Sequence, residues 1–295
     1  EIEPKSEFLY IGTDNRMEKD LIPSFNIPYV SLHVTGFDRK NLLNNFKTLS
    51  NFLKAKSKCK RIIKEFNPDV VIGCGGYVTA PVISIAHSLG IKTLIHEQNS
   101  VVGLANKFLS RYATKVGVSF ESTIKDFPKG KAILTGNPCS EKAINLPSAK
   151  KEEYKLSKNK KLVLIVMGSL GSRTINDMIY KNLSLFKDKD YEVLFVTGNS
   201  YYEKLDKKKE YKNVKIVPFI YELPRVMKMS DLIVSRAGAS TMSEIMVLDI
   251  PTIFIPSPYV TNNHQYKNAM DLYEKNAGIL IEEKDLTMDS LISNI

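Results

Sequence analysis

Cysteine and histidine are scarce in this chain, and neither falls in a pattern that holds a metal. The three cysteines, Cys59, Cys74 and Cys139, lie far apart, and the four histidines, His33, His87, His96 and His264, form no HxxxH pair. An odd, sparse set of thiols argues for reduced cysteines in a cytosolic protein, and no structural metal site is expected. Long apolar runs are missing too: none approaches the ~20 residues a helix needs to cross a bilayer. Two phosphate-binding signatures are also absent. There is no GxxxxGK[ST] and no clean GxGxxG, so ATPase and dehydrogenase readings lose ground.

What is present is a chain of 295 residues with an ordinary share of apolar residues and a net charge of +10. That length suits two domains of about 140 residues each, and the composition excludes a disordered chain. A positive excess suits anionic ligands such as nucleotides, nucleic acid or acidic lipid, though lysine-biased coding accounts for it equally well. Short β-branched runs alternate with longer segments of helical period. In the first half the spacing predicts strands at Phe8–Ile11, Tyr29–His33, Asp69–Ile72, Lys92–Ile95, Lys115–Ser119 and Ala132–Thr135. In the second half it predicts them at Lys161–Val166, Tyr191–Val196, Val214–Pro218, Leu232–Val234, Thr252–Ile255 and Gly278–Ile281. Strands separated by helix-length segments imply βαβ units, hence an α/β fold with parallel sheets. LVLIVMG and DLIVS read as strands buried on both faces.

The lysine-rich stretch 141–160 has no apolar period and is the expected linker between domains at 1–140 and 161–295. Both ends are expected to be cut. Glu1–Lys5 runs straight into a strand, and LTMDSLISNI reads as a helix start with Thr287 as N-cap.

Four segments have the form of ligand-binding turns at strand ends: VVIGCGGYVTAP, LVLIVMGSLGSRTIND, DLIVSRAGASTMSEI and TLIHEQNSVVGLANK. Glycine lets the backbone approach a ligand and take positive φ, and N–H groups at the following helix start bind phosphate. In the third segment Ser240 or Thr241 is placed to cap the next helix. Any one such turn is also explained by sterics alone; four with matching polar residues are harder to dismiss.

These segments, together with IGTDNRMEKDLIP, TGNPCS and HQYKNA, resemble in this order the MurG family of glycosyltransferases, family 28, over essentially the whole chain. The resemblance implies the GT-B architecture: two Rossmann-like parallel-sheet domains with a cleft between them. It implies an inverting hexosyltransferase of peptidoglycan synthesis that moves N-acetylglucosamine from UDP-N-acetylglucosamine to an undecaprenyl-diphosphate-linked muramyl-pentapeptide, without metal or other cofactor. By resemblance, Gly168, Ser169, Leu170, Gly171 and Ser172 bind the donor diphosphate through backbone amides. Ala237, Gly238, Ala239, Ser240 and Thr241 lie against the nucleotide, Glu244 holds the ribose hydroxyls, and the backbone of Ile220 reads uracil. Gln265 bonds the sugar hydroxyls, Asn99 is a donor-side contact, and Gly75, Gly76 and Tyr77 line the acceptor side.

Three departures from the family pattern stand out. The N-terminal GGTGGH loop, with the histidine proposed as base, is not in the sequence, which leaves Glu97 and His96 as weak candidates by position. For this chain alone, donor binding with poor turnover is therefore expected. Ser140 stands where the family has arginine, and Leu170 where it has glutamine. The triplet Asp188-Lys189-Asp190 resembles the DxD of metal-dependent transferases but sits in a charged turn away from the glycine segments.

The expected partners are the donor, the lipid-linked acceptor and an anionic membrane surface, with no nucleic acid, at the cytoplasmic face of the membrane. From Lys40 to Lys64, Leu42, Phe46, Leu49 and Leu53 recur at helical spacing beside Phe52, among eight Lys or Arg and no acid. That pattern suits an anionic interface, or a core-facing stripe with its lysines in water. Two further readings stay open: a related transferase with another acceptor, such as diacylglycerol, and a nucleotide-sugar-binding fragment without catalysis.

Overall fold

The computed structural model describes residues 4–34, 45–168, 171–206 and 210–295, the first three of the second stretch by backbone only. The chain divides into two compact units, Glu1–Glu97 with Val102–Thr135, and Gln98–Val101 with Gly136–Ile295. Residues 141–160, where the sequence suggests a linker, fall in the second unit.

In the first unit the elements run β1 (Tyr10–Thr13), α1 (Glu18–Leu21), β2 (Tyr29–Leu32), α2 (Asn45–Phe66), β3 (Val70–Gly73), α3 (Thr79–Ser88), β4 (Lys92–Glu97), α4 (Leu104–Leu109), β5 (Lys115–Val118) and β6 (Ala132–Leu134). All pairings are parallel. Among the described residues they form a β1-β2 pair and a β3-β4-β5-β6 sheet. Helix α2 buries Ala55, Cys59, Ile62 and Ile63, spaced to line one face. That face packs with Leu32 and with Val82, Ile85 and Ala86 of α3. A second cluster, with Ile83, Ile95, Leu109, Val116 and Val118, lies on the four-stranded sheet.

The second unit contains α5 (Cys139–Asn145), β7 (Lys161–Val166), α6 (Arg173–Lys181), β8 (Tyr191–Val196), α7 (Asn199–Tyr202), β9 (Val214–Val217), α8 (Leu223–Lys228), β10 (Leu232–Ser235), α9 (Ala239–Leu248), β11 (Thr252–Phe254), α10 (His264–Tyr273), β12 (Ile279–Leu280) and α11 (Met288–Asn294). Its six strands are all parallel, in the order β12-β11-β10-β7-β8-β9. That is the doubly wound order, which reverses between β7 and β10. Ligands of such sheets sit beyond the strand ends at that reversal. Val166 of β7 pairs with Ser235 of β10 at the reversal.

The interior is built on Val163, Ile165, Phe195, Val234 and Ile253, with Phe186, Ile175 and Ile179 above them. Helix α11 closes it with Met288 and Leu291. Thr287 caps that helix, its hydroxyl accepting from the Ser290 N–H at 3.0 Å.

Each expected strand meets an observed one, displaced by at most two residues at an end. The largest displacement is at the start, where Phe8–Ile11 becomes Tyr10–Thr13. The ladder begins where Tyr10 pairs with Tyr29, whose rings stack at 5.7 Å.

Candidate functional site

Beyond β7 the chain passes Met167 and turns at Gly168 and Gly171, with φ of +79° and +71°. The N–H of Gly171 donates to the Gly168 carbonyl at 3.1 Å. A Cβ at residue 171 would stand 2.4 Å from the carbonyl oxygen of Thr197, so only glycine lets this turn pack against the end of β8. Ser169 and Leu170, expected in the same diphosphate turn, lie outside the described residues.

Ser172 is the N-cap residue of α6, yet its side chain makes no capping bond. Its hydroxyl instead accepts from Nη2 of Arg236 at 2.9 Å. The first-turn N–H groups of α6 therefore have no side-chain cap.

Beyond β10 come Arg236 and Ala237, then Gly238 as N-cap of α9. Ser240 and Thr241 do not cap this helix as the sequence suggested. The helix starts at Ala239 and places both hydroxyls inside its first turn, again without a side-chain cap. A glycine at the N-cap fixes the start without supplying an oxygen.

A pocket opens at this reversal. It is lined by Val166 and Gly168, by Gly198 beyond β8, by Phe219, Ile220 and Tyr221 beyond β9, by Ser235, and by Thr241 and Glu244 of α9. Four residues singled out in the sequence, Gly168, Ile220, Thr241 and Glu244, thus share one wall system. Glu244 is the sixth residue of α9, outside the first turn where the helix dipole would favour a carboxylate. Burial pushes its carboxyl above the ordinary value, and Lys142 of α5 pulls it partly back. A half-buried acceptor of this kind suits a vicinal diol, which can donate to both oxygens.

Two more expected residues are not in the lining of this pocket. Oε1 of Gln265, near the start of α10, accepts from the Ser257 N–H at 2.8 Å, which fixes the side chain and leaves its amide N–H groups to offer. Asn99 is held through Asn268, whose Nδ2 donates to Asn99 Oδ1 at 3.2 Å and to the Ala237 carbonyl at 3.1 Å. Oδ1 of Asn268 accepts from both the N–H and the hydroxyl of Ser100. Asn268 is fully buried.

Sequence reading passed over Asn268 and Arg236. An asparagine inside a helix, and an arginine between a buried strand and a glycine turn, were the available signals.

Helix α5 packs on α9, and Ser140 donates its hydroxyl to the Ser243 carbonyl at 3.0 Å. The neighbouring Cys139 thiol is raised to about 11 by burial and by Glu244, so it stays protonated near neutrality. The Asp188-Lys189-Asp190 turn precedes β8, at the end of the sheet opposite the glycine turns.

In the first unit, Gly75 and Gly76 take φ of +94° and +80° between β3 and α3, and Tyr77 beside them is exposed. Both His96 and Glu97 are buried. Glu97 Oε2 accepts from the Gly103 N–H and from Asn106 Nδ2, each at 2.9 Å, so this carboxylate fastens the chain that follows β4.

Comparison with known proteins supplies the family. Residues 2–118 match the family profile described as glycosyltransferase family 28 N-terminal domain, and residues 162–295 match that of the glycosyltransferase family 28 C-terminal domain. A Bacillus cytotoxicus protein named UDP-N-acetylglucosamine--N-acetylmuramyl-(pentapeptide) pyrophosphoryl-undecaprenol N-acetylglucosamine transferase is 48% identical over 299 residues, covering 100% of this chain and 82% of its own. A protein of the same name from Halalkalibacterium halodurans is 46% identical over 98% of this chain and 81% of its own. Among solved structures, Acinetobacter baumannii MurG superimposes with a TM-score of 0.75 at 27% identity, over 97% of this chain and 81% of the other.

Proposed function

Because the chain belongs to glycosyltransferase family 28, we propose that it transfers N-acetylglucosamine from UDP-N-acetylglucosamine to a muramyl-pentapeptide on undecaprenyl diphosphate, in peptidoglycan synthesis, and that its second unit holds the donor where β7 and β10 diverge. The fold is the α/β GT-B type. The observation that carries the donor site is the gathering of Gly168, Ile220, Thr241 and Glu244 around one pocket at the strand reversal.

In this reading the turn at Gly168–Ser172 and the open start of α6 take the diphosphate through N–H groups, Ile220 faces uracil, and Glu244 accepts from the ribose hydroxyls. The acceptor hydroxyl attacks the anomeric carbon in line as the bond to UDP breaks, and a base takes the hydroxyl proton. UDP leaves with added negative charge, which preorganised N–H donors stabilise without reorganising. Ala237 to Ser240, Gln265 and Asn99 complete the donor side, and Gly75, Gly76 and Tyr77 serve the acceptor.

A lipid-borne acceptor places the reaction at a bilayer surface, and helix α2 supports peripheral contact there. Leu49 and Leu53 are 49% and 59% exposed, flanking the buried face of Ala55, Cys59 and Ile63. Exposed Lys54, Lys58, Lys60 and Lys64 share the helix. An apolar stripe among lysines suits anionic headgroups. Leu42 and the side chain of Phe46 lie outside the described residues. No helix among the described residues is long and apolar enough to cross a membrane.

Calorimetric titration with UDP-N-acetylglucosamine, UDP-glucose and UDP-galactose tests the donor assignment. Tightest binding of the first supports it; equal affinity for all three removes the sugar assignment while leaving the uridine site.

A further inference from the structure

We infer that Arg236 is a positioning residue for the donor diphosphate: its guanidinium, neutralised by Glu283, holds the Ser172 hydroxyl away from α6 and so keeps that helix start open to the anion. The inference rests on the reading that the turn at Gly168–Ser172 binds diphosphate.

Serine at an N-cap ordinarily turns its oxygen onto the N–H groups of the first turn. Ser172 has the right position and backbone, since its carbonyl already accepts the first helical bond from Asn176 at 2.8 Å. Its hydroxyl is nevertheless committed to Arg236 Nη2. The other arm of the guanidinium, Nη1, donates to the Ile255 carbonyl at 3.0 Å. Nη2 lies 2.6 Å from a carboxylate oxygen of Glu283, and both side chains are only 9% exposed.

One planar fork thus ties together the turn after β7, its own strand β10, the end of β11 and the segment after β12. All four are at the ligand-binding end of the sheet. A lysine ammonium cannot span these partners, because its donors radiate from one atom. Glu283 has a second effect. A buried guanidinium without a counter-charge would be costly and would itself attract the diphosphate; paired at 2.6 Å, Arg236 acts through Ser172.

The test uses calorimetry with UDP and with uridine on the wild-type chain, Arg236→Lys, Ser172→Ala, the double variant and Glu283→Gln, with thermal melting on each. Arg236→Lys, which frees the Ser172 hydroxyl to cap α6, is expected to weaken UDP about tenfold, the value of one hydrogen bond to a charged group, and to leave uridine unchanged. Ser172→Ala, which has no hydroxyl to close the helix start, is expected to keep the wild-type UDP affinity. The double variant is expected to regain the UDP affinity lost in Arg236→Lys, since no hydroxyl is left to cap the helix. Glu283→Gln, which leaves the guanidinium buried without its counter-charge, should melt lower.

Unchanged UDP affinity in Arg236→Lys, equal loss of uridine, or a double variant that binds UDP as weakly as Arg236→Lys would each overturn the proposal. If Arg236→Lys does not fold, Ser172→Ala decides alone: loss of UDP affinity there defeats the inference, because the hydroxyl would then be a ligand and not a cap held away. Wild-type protein that binds UDP no better than uridine would instead defeat the underlying diphosphate reading.

Discussion

Glu244, which we propose holds the ribose, is a carboxyl group whose burial works against its charge. Burial raises its carboxyl above the ordinary 4.5, with Lys142 opposing, and a ribose diol is best accepted by the ionised form. Uridine affinity should therefore fall on acidification at a higher pH than for an exposed glutamate, because the folded carboxyl takes up its proton earlier. Uridine is the right probe, since it has no phosphate to titrate in that range. Glu244→Gln should bind uridine more weakly and lose that pH dependence. The sign for stability is the reverse of that for binding. A raised folded pKa means that stability is fully present below the unfolded value and lost as pH rises through the folded one. Removing the charge should then raise the melting temperature at pH 7, a trade of stability for function. A variant that melts lower and keeps the wild-type profile would contradict both statements.

Glu244, Ile220 and Gly168, which line one pocket, could be named from the sequence because they sit in local segments that resemble the family's. Asn268 and Arg236 were not. Their meaning comes from Ser100, 168 residues away from Asn268, and from Ser172 and Glu283, at separations that no local pattern encodes.

Turn geometry sets the elements around the site, and two glycines separate the causes. At Gly171 a side chain would meet both a positive φ and the Thr197 carbonyl, whereas at Gly168 it would meet only the positive φ. Gly171→Ala should cost about 2–4 kcal/mol and Gly168→Ala about 1 kcal/mol. Urea denaturation of both variants checks this, and equal costs would show that packing against β8 does not matter. Strands were readable to within two residues because β-branched runs mark them, even where their ends move. Phe8 is apolar but exposed, and pairing waits for Tyr10. The start of α9 was misread because Ser240 and Thr241 are good capping residues by type, whereas Gly238 takes the extended backbone that the N-cap requires.

Across the whole molecule the excess of positive charge has a proposed use along α2, contact with an anionic bilayer surface. Replacing Leu49 and Leu53 together by glutamate should abolish flotation with anionic liposomes while leaving UDP affinity intact, and wild-type binding should weaken with salt. Persistent flotation of the double variant would remove α2 as the contact. The α/β class was legible from alternating periods alone. The strand order was not, because every βαβ repeat looks alike in sequence and only the pairing of β7 with β10 reveals the reversal. Residues 141–160 read as a linker from their lysines, yet within the second unit α5 lies against α9 and Lys228 donates to the Ile144 carbonyl at 2.6 Å.

A crystal structure of the chain with UDP tests the central claim most directly. The account predicts the diphosphate on the N–H groups of the first turn of α6, with both ribose hydroxyls on Glu244. UDP bound elsewhere, or Glu244 pointing away from the ribose, would contradict it.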